Sequence, residues 1–388
     1  MKTPNSIPFN IPYLCGDENA AIQSALESRA HCGNFAYSQK CIELLIDRYK
    51  FSSVFLTPSC TSALEMGAIL CDLKPGDEVI MPSYTFSSTA NAVVLRGAKP
   101  VFCDVTSSTM NIDVDLIEGL ITGKTKMILP IDYAGIPCDI EAINAIAGKH
   151  NLLVMQDAAQ SIHSYHLNGN ACGSEAALAA FSFHESKNIG CGEGGALIVN
   201  SKELIERANI LQEKGTDRHK VLAGMKNKYS WVDVGSSFLL SDILAAMLYV
   251  QLNHTEEIVN KRKKIVDAYK SIFSKYEKAA CLQLPSPPTG LKLNYHAYFV
   301  IFDTEENRTL FLAGLREKNI HAYIGYVPLH SSPYGKQLGY EKQDVPLTEE
   351  LSGRIVRLPM YPDLAEENTL NYCIDNIGLT LETIYGSY

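Results

Sequence analysis

The sequence lacks several features that would assign it to well-known classes of protein. No apolar run in its 388 residues approaches the roughly 18 residues of a membrane span. The first residues, MKTPNSIPFNIP, contain no apolar segment typical of a secretory signal. Basic residues are in the minority, since 34 Lys and Arg stand against 43 Asp and Glu, so no basic face for nucleic acid is indicated. These absences predict a cytoplasmic protein with neither a membrane nor a nucleic acid as its partner.

Metal-binding and disulfide patterns are also missing, although the chain has eleven cysteines. None of them forms a C-x-x-C pair, and spacings such as Cys60 to Cys71 match no zinc-ligand pattern. We therefore expect reduced, mostly buried thiols and no bound metal. The densest basic run, KRKK at 261–264, falls in a helical pattern and is predicted to be a solvent-exposed helix face.

Short apolar runs alternate with helical patterns through the first half of the chain. The runs lack polar alternation, which is typical of strands in a mostly parallel sheet covered on both faces. The predicted strands are 53–56, 78–82, 100–105, 126–131, 152–157, 178–183 and 196–200. The pattern fades near 215–255, and a long helix then leads into further mixed elements. The sequence thus predicts an α/β fold with a large domain at 1–255 and a smaller α+β domain at 256–388.

The stretch FSFHESKNIGCGEGGALIVN, residues 181–200, joins two of these predicted strands without a helix between them. Its glycines 190, 192 and 195 satisfy the G-x-G-x-x-G pattern of dinucleotide-binding folds. That fingerprint must open a helix, so that the helix N-terminus meets the pyrophosphate, whereas here a strand follows. No G-x-x-x-x-G-K-[ST] motif occurs either. A nucleotide-binding oxidoreductase is therefore disfavoured, and a neighbouring pair of strands is expected.

Lys187 remains as the reactive group of this stretch. A lysine beside a glycine turn can form a Schiff base with a carbonyl cofactor if its amine is held and partly desolvated. An ordinary surface lysine is the alternative, so the interpretation depends on other residues. Pyridoxal phosphate, an aldehyde cofactor, also requires a phosphate site, a carboxylate for its ring nitrogen and a flat partner for its ring.

Each of these requirements has a candidate. The predicted start of a helix, directly after a strand, carries the hydroxyls of Ser59, Thr61 and Ser62. These hydroxyls could bind a phosphate or simply cap the helix. Asp157 ends an apolar strand, where ligands of open α/β sheets bind, although a helix cap is again the alternative. Phe86 could stack on the ring or fill the core, and Ser182 could add a phosphate contact.

The motifs SCTSALEM, PSYTFSSTANA, QDAAQS, FSFHESKN with GEGGAL, and GSSFLLSDILAA resemble the DegT-like family of nucleotide-sugar aminotransferases in order and spacing over nearly the whole chain. The resemblance implies an aspartate-aminotransferase-like fold of type I, with pyridoxal 5'-phosphate as cofactor. It also implies a homodimer whose active site lies at the subunit interface.

The resemblance implies a role for each matching residue. Lys187 would be the Schiff-base lysine and Asp157 the partner of the pyridine nitrogen, while Phe86 would stack on the ring and Gln160 would lie against its hydroxyl. The remaining cofactor contacts would come from Cys60, Thr61 and Ser182 on the phosphate. Many family members carry Asn-Tyr where this chain has Ser237 and Phe238, so Ser237 is expected to be a shorter substitute for the Asn that reaches the partner's phosphate.

The implied reaction moves an amino group from L-glutamate to a 4-keto nucleotide sugar, with dTDP-4-keto-6-deoxyglucose as the expected acceptor. Dehydratases of the family have His in place of the lysine, so Lys187 favours a transaminase over them. Some relatives are described as regulatory, and retention of the cofactor residues argues against a simple binding module. Transfer to the other face of C4, or to C3, stays open, as does UDP in place of dTDP.

Candidates for the sugar-nucleotide pocket are less well defined. They are polar or aromatic residues, and exposed loop charges or core packing are the alternative explanations. These residues are His184, Arg218, Trp231, Tyr323, Tyr326 and His330.

Overall fold

A seven-stranded sheet forms the centre of the protein, whose computed structural model describes residues 6–386. Its strands are β1 (Val54–Thr57), β2 (Glu78–Pro82), β3 (Lys99–Cys103), β4 (Thr125–Ile128), β5 (Leu153–Asp157), β6 (Leu178–Ser182) and β7 (Gly195–Val199). They lie in the order β1-β7-β6-β5-β4-β2-β3. Strands β6, β5, β4, β2 and β3 are parallel, whereas β7 is antiparallel to both of its neighbours. The predicted α/β fold with a mostly parallel sheet is confirmed.

The strands are mostly apolar because both faces of the sheet are covered. Every residue of β6 and β7 is buried. Side chains alternate between the faces along a strand, so Leu178 and Ala180 pack in one core cluster while Ala179 and Phe181 pack in another. Continuous apolar runs, and not alternating ones, are the sequence signal of this arrangement.

Fourteen helices surround the two sheets of residues 6–386. They are α1 (Glu18–Glu27), α2 (Ala36–Tyr49), α3 (Cys60–Leu70), α4 (Ser87–Val94), α5 (Val114–Leu120), α6 (Ile140–His150), α7 (Lys202–Gln212), α8 (Arg218–Leu222), α9 (Asp242–Asn253), α10 (Thr255–Lys278), α11 (Glu305–Glu317), α12 (Pro333–Gln337), α13 (Pro346–Arg354) and α14 (Glu367–Tyr385). None of these helices, in the part of the chain described, combines the length and apolar character needed to cross a bilayer.

The glycine-rich stretch joins β6 to β7 directly, as predicted. The two strands pair antiparallel from Leu178 opposite Val199 to Ser182 opposite Gly195. Gly192 has a φ of +87°, a backbone conformation that glycine adopts without strain, and it lies in the loop between the strands. The loop therefore projects from the carboxyl end of β6, beside the carboxyl end of β5.

A second, antiparallel sheet is built from the C-terminal part of the chain. Its strands are β8 (Leu282–Gln283), β9 (Phe299–Phe302) and β10 (Ile355–Arg357), in the order β10-β9-β8. Apolar residues of α10, α11 and α14, including Phe273, Phe311 and Ile377, share one core cluster with these strands. This mixture of elements agrees with the character predicted for 256–388, while a domain boundary at residue 255 stays a prediction.

Candidate active site

A cavity of about 510 Å³ lies at the carboxyl ends of β5 and β6. The start of α3, the loop after β6 and the segment that follows β10 enclose it. Nine candidates from the sequence motifs line this one cavity: Ser59, Cys60, Thr61, Phe86, Asp157, Gln160, Ser182, His184 and Lys187. The fold therefore brings together residues that four separate motifs supply.

Lys187 lies in the loop between β6 and β7, and its side chain enters the cavity. Its backbone N–H donates to the carbonyl of His184 at 2.9 Å, which closes the turn that carries it. Burial lowers the pKa of the Lys187 amine, and the nearby Cys60 and Asp157 only partly oppose this effect. A lowered pKa leaves more of the amine neutral, which is the nucleophilic form.

Asp157 ends β5 and is buried at the base of the cavity. Its carboxylate accepts a hydrogen bond of 2.7 Å from the hydroxyl of Thr89 and one of 3.2 Å from the backbone N–H of Ala159. Burial raises the pKa of Asp157, and these hydrogen bonds oppose that rise. The carboxylate thus lacks the bulk water that would stabilise its charge, and a cationic partner would stabilise it.

Hydroxyl groups gather at the start of α3. Ser59 is the N-cap of this helix, because its side-chain oxygen accepts from the backbone N–H of Ser62 at 3.1 Å. The hydroxyl of Thr61 lies 2.8 Å from that of Ser88, and Ser182 lines the same cavity. A helix N-terminus with hydroxyls around it is a favourable site for a phosphate. Ser59 therefore has the capping role that the sequence left open, within a group of residues suited to an anion.

Gly195 allows β7 to approach this helix start. A Cβ atom added at position 195 would lie 2.5 Å from the backbone nitrogen of Cys60, which is closer than real contacts allow. The glycine is needed here for a close approach between two backbones. Gly195 therefore allows the contact between β7 and the start of α3, whereas Gly192 allows the turn near Lys187.

An aromatic ring and an amide face the middle of the cavity. Phe86 precedes α4 and is 59% exposed, so it does not fill the core. Its ring centroid lies 6.3 Å from that of Tyr326. Gln160 accepts a 2.7 Å hydrogen bond from the backbone N–H of Ala134 and donates one of 3.2 Å to the hydroxyl of Tyr326. These contacts fix the amide at the wall of the cavity.

Arg262 also lines the cavity, which corrects the prediction for the run at 261–264. Its side chain is 1% exposed and lies on the face of α10 that packs into the core. Its two terminal nitrogens donate to the backbone carbonyls of Met360 and His296, each at 3.0 Å, and burial lowers its pKa to about 9. The periodicity of α10 was the available signal, since a run of four residues covers a full helical turn.

Other lining residues were not predicted by sequence analysis. They include Ser88, Thr89, His296 and Arg357. Tyr326, a sequence candidate for the sugar pocket with packing as the alternative, lines the cavity as well. Ser88 and Thr89 lie in the STANA motif, where their hydroxyls were a usable signal. The other three come from the C-terminal part of the chain, and their position depends on how the second sheet meets the first.

His330 does not reach the cavity. Its ring is 0% exposed, and its Nδ1 lies 2.7 Å from the hydroxyl of Ser83. It packs beside Phe102, with ring centroids 6.4 Å apart. The predicted substrate contact is therefore corrected, because a fully buried ring in this position supports the interior.

Four further candidates lie outside the cavity, at or near the surface. Arg218 pairs with Glu213 at 3.2 Å, and the backbone of Ser237 forms a bridge with the same Glu213. Trp231 is 80% exposed, and Tyr323 packs edge to face on Phe9 with centroids 5.2 Å apart. The substrate and phosphate roles expected for these four residues stay predictions.

The chemistry of the cavity fits pyridoxal phosphate. A desolvated amine, a buried carboxylate, a helix start with hydroxyls and an exposed aromatic ring meet the four requirements of an aldehyde, a pyridine nitrogen, a phosphate and a ring face. The four groups line one cavity. Ordinary helix caps and core residues would have no reason to face the same space.

Comparisons with known proteins agree with this chemistry. A model of the DegT/DnrJ/EryC1/StrS aminotransferase family matches residues 17–377. The Bacillus subtilis spore coat polysaccharide biosynthesis protein SpsC is 29% identical, with 95% of each chain covered. A pleiotropic regulatory protein of Geobacillus stearothermophilus is 33% identical over 82% of each chain. The structure is similar to that of Spr1654, a candidate sugar aminotransferase of Streptococcus pneumoniae, in its pyridoxamine-phosphate (PMP) form. The TM-score is 0.89, the identity is 25%, and 98% of both chains is covered.

The cofactor of the family is visible in the same comparison, because Spr1654 has also been solved in a PLP form that matches with a TM-score of 0.88. The family model spans most of the chain, and the cavity has the groups that this cofactor requires. The chain therefore belongs to the DegT/DnrJ/EryC1/StrS aminotransferase family and is a pyridoxal-phosphate-dependent transaminase.

Proposed function

We propose that this transaminase moves the amino group of L-glutamate to C4 of dTDP-4-keto-6-deoxyglucose. The product is dTDP-4-amino-4,6-dideoxygalactose, a precursor for cell-surface polysaccharide. The observation that carries the proposal is the presence of Lys187 in one cavity with Asp157 and the hydroxyls at the start of α3. The name of the Bacillus subtilis relative, which refers to spore coat polysaccharide, supports a role in surface sugars.

The choice of sugar rests on sequence motifs. The segments TPSCT, GDEVIMPSYTF, STANA, VLRGAKP, TMNID, EKGT, VGSS and PLH resemble dTDP-4-amino-4,6-dideoxygalactose transaminase. Several of them contribute to the cavity, including the segment that starts α3 and the one that carries Phe86. The resemblance therefore includes residues that line the cavity as well as residues of the core.

The residues of the chain divide the chemical work between them. Pyridoxal phosphate supplies an electron sink for the carbon that gains or loses a proton. We assign to Asp157 the task of keeping the pyridine nitrogen protonated, with Thr89 and Ala159 holding its carboxylate. Ser182, Thr61 and the N-terminus of α3 would hold the phosphate.

Lys187 is the proton carrier of this proposal. Its Nζ removes the proton from the α-carbon of the donor and, in the second half of the reaction, returns a proton to C4 of the sugar. The lowered pKa of this amine increases the share of the neutral form, which accepts a proton, and the charged form then gives it up. A histidine in this position, as in the dehydratases, would not supply the same amine.

The substrate assignment predicts one product. Incubation of the enzyme with dTDP-4-keto-6-deoxyglucose and L-glutamate is expected to give dTDP-4-amino-4,6-dideoxygalactose and 2-oxoglutarate. Proton NMR distinguishes the epimers, because an axial amine at C4 gives a small coupling between H3 and H4 and an equatorial amine gives a large one. The UDP-linked sugar and the 3-keto isomer are the controls. A gluco product, a C3 product or no product would contradict the assignment, and the transaminase class would stand in each case.

We also propose that two copies of the chain form the working enzyme. Six large apolar side chains between positions 222 and 234 are each at least 47% exposed: Leu222, Met225, Tyr229, Trp231, Val232 and Val234. A soluble chain seldom exposes so many large apolar groups in one short segment unless another surface covers them. The same region leads to Ser237, which the family resemblance directs toward a partner's phosphate. A second copy is therefore the proposed occupant of the segment 222–234.

Disruption of this segment tests the dimer. The double variant Met225→Glu with Trp231→Glu is expected to convert a dimer to a monomer, because four charges would have to be buried across a twofold contact. Light scattering after gel filtration measures the mass. Leu379→Glu, a charge on an exposed leucine of α14, is the matched control and should stay dimeric. A wild-type monomer, or a double variant that remains dimeric, would contradict the proposal.

A further inference from the structure

Arg357 is a second arginine at the cavity, and its surroundings differ from those of Arg262. It is the last residue of β10, and its guanidinium faces two aromatic rings. The guanidinium carbon lies 5.1 Å from the ring centroid of Tyr326 and 5.4 Å from that of Phe9. These rings hold the flat group in place without neutralising it.

The guanidinium of Arg357 is not satisfied by the protein as that of Arg262 is. Both terminal nitrogens of Arg262 donate to backbone carbonyls. By contrast, no backbone carbonyl of residues 6–386 accepts from the terminal nitrogens of Arg357, whose side-chain hydrogen-bond partner is the hydroxyl of Tyr326. Nε is buried without a partner in both arginines. Burial acts to lower the pKa of Arg357, but the neighbouring phenols of Tyr133 and Tyr326 raise it above its ordinary value. The group therefore stays charged in a partly dry site.

Among residues 6–386, no carboxylate forms a salt bridge with Arg357. The surface arginines Arg207 and Arg354 each pair with a carboxylate at 2.8 Å or less. Glu193, an acid at the cavity wall, lies 3.8 Å from His184. A buried cation without an anion is costly, and the cost is removed when a ligand brings the anion.

We propose that Arg357 binds the α-carboxylate of the amino-acid donor. The amine of the donor has to reach the place that Nζ of Lys187 occupies, and its carboxylate is attached to the adjacent carbon. Arg357 and Lys187 line the same cavity and lie within electrostatic reach of each other. A planar guanidinium matches a carboxylate with two parallel hydrogen bonds, so it also orients the α-carbon. Tyr326, which Gln160 contacts at 3.2 Å, links this subsite to the wall of the cavity.

Equilibrium binding tests the subsite without turnover. Glutarate has the two carboxylates of glutamate but no amine, and calorimetric titration of the holoenzyme measures its dissociation constant. Arg357→Gln is expected to weaken glutarate binding by about 10- to 100-fold, the range for losing a charge-assisted pair. Affinity for dTDP should be unchanged. Arg357→Lys keeps the charge but loses the planar guanidinium, so its glutarate dissociation constant should lie between those of the wild type and Arg357→Gln. It replaces Arg357→Gln in the test if the glutamine variant is unstable.

Donor kinetics then identify which carboxylate is bound. L-glutamine keeps the α-carboxylate and replaces the side-chain carboxylate with an amide. In single-turnover reactions without sugar, Arg357→Gln should raise the half-saturating concentration of L-glutamate and L-glutamine by the same factor. The limiting rates should change much less. Arg354→Gln, at an arginine of the preceding helix that pairs with Glu350, is the matched control and should leave both constants at wild-type values.

Three results would overturn the proposal. They are unchanged glutarate affinity in both Arg357 variants, a loss of dTDP affinity in place of glutarate affinity, and a loss confined to L-glutamate. The second would assign the arginine to the diphosphate, and the third to the side-chain carboxylate. The inference rests on the proposed amino-acid donor, but none of these measurements contains a keto sugar. Its failure is therefore distinguishable from failure of the sugar assignment.

Discussion

Lys187→Ala is expected to reduce turnover by at least about 1,000-fold, because the variant loses both the nucleophile and the group that carries the proton. The fold should survive, since the change removes a desolvated amine and leaves the turn closed by the backbone of residue 187. Treatment with borohydride, followed by mass spectrometry, should find the cofactor bound covalently to the wild-type chain and not to the variant. Rates are measured with L-glutamate and with the keto sugar separately.

Lys202→Ala is the matched control for this variant. Lys202 lies at the start of α7, shortly after the same strand pair, and is exposed to solvent. Its removal should leave the covalent attachment and the rate at wild-type values. Wild-type turnover by Lys187→Ala, or cofactor that remains covalently bound to it, would show that another residue carries the chemistry.

Asp157→Asn is expected to have the second largest effect, a loss of about 100- to 10,000-fold in the rate of the half-reaction with L-glutamate. The amide has the shape of the carboxylate; it can accept from the backbone N–H of Ala159 and donate to the hydroxyl of Thr89, so the site should remain assembled. It has no charge to favour a protonated pyridine nitrogen, and the ring becomes a weaker electron sink. Stopped-flow absorbance of the bound cofactor measures this rate.

Asp132→Asn separates an electronic effect from a structural one. Asp132 is a fully buried carboxylate on the neighbouring segment, which accepts from Gln156 at 2.8 Å and from the backbone N–H of Cys138 at 2.9 Å. It does not line the cavity. We expect its amide variant to lose about 1–3 kcal/mol of stability with little change in the half-reaction. Equal rate losses in the two variants would mean that Asp157 acts only through packing.

The sheet and the cofactor end of the site were predictable because short segments determine them. Each predicted strand of the seven-stranded sheet is present, since a short continuous apolar run fits a strand buried on both faces. Asp157 and Ser182 could be placed because they end such runs, and the carboxyl ends of parallel strands share one edge. The strand after the glycines disfavours a dinucleotide-binding fold for the same local reason.

The remaining part of the site depends on contacts between distant segments. Arg262 was assigned to solvent with its lysine neighbours, although the pitch of α10 turns it into the cavity. Arg357 has no motif around it, and only the approach of the second sheet shows that it faces Tyr326. His330 illustrates the opposite error, since a histidine in a polar segment became a fully buried ring. Burial of a single polar side chain is a tertiary property that local pattern does not contain.

The strand register at Gly195 limits the length of the molecule that the cavity can accept. Gly195 stands opposite Thr57 on one side and opposite Ser182 on the other, so β7 aligns the strand before α3 with the strand before Lys187. The proposed phosphate site and the proposed amine therefore keep a fixed separation, although more than a hundred residues of chain lie between them. A slip of one residue along β7 would change that separation by about 3.3 Å, which is more than two covalent bond lengths. The pairing of β7 with its two neighbours thus fixes the separation, and a rigid cofactor can reach both the proposed phosphate site and Lys187 only in the native register.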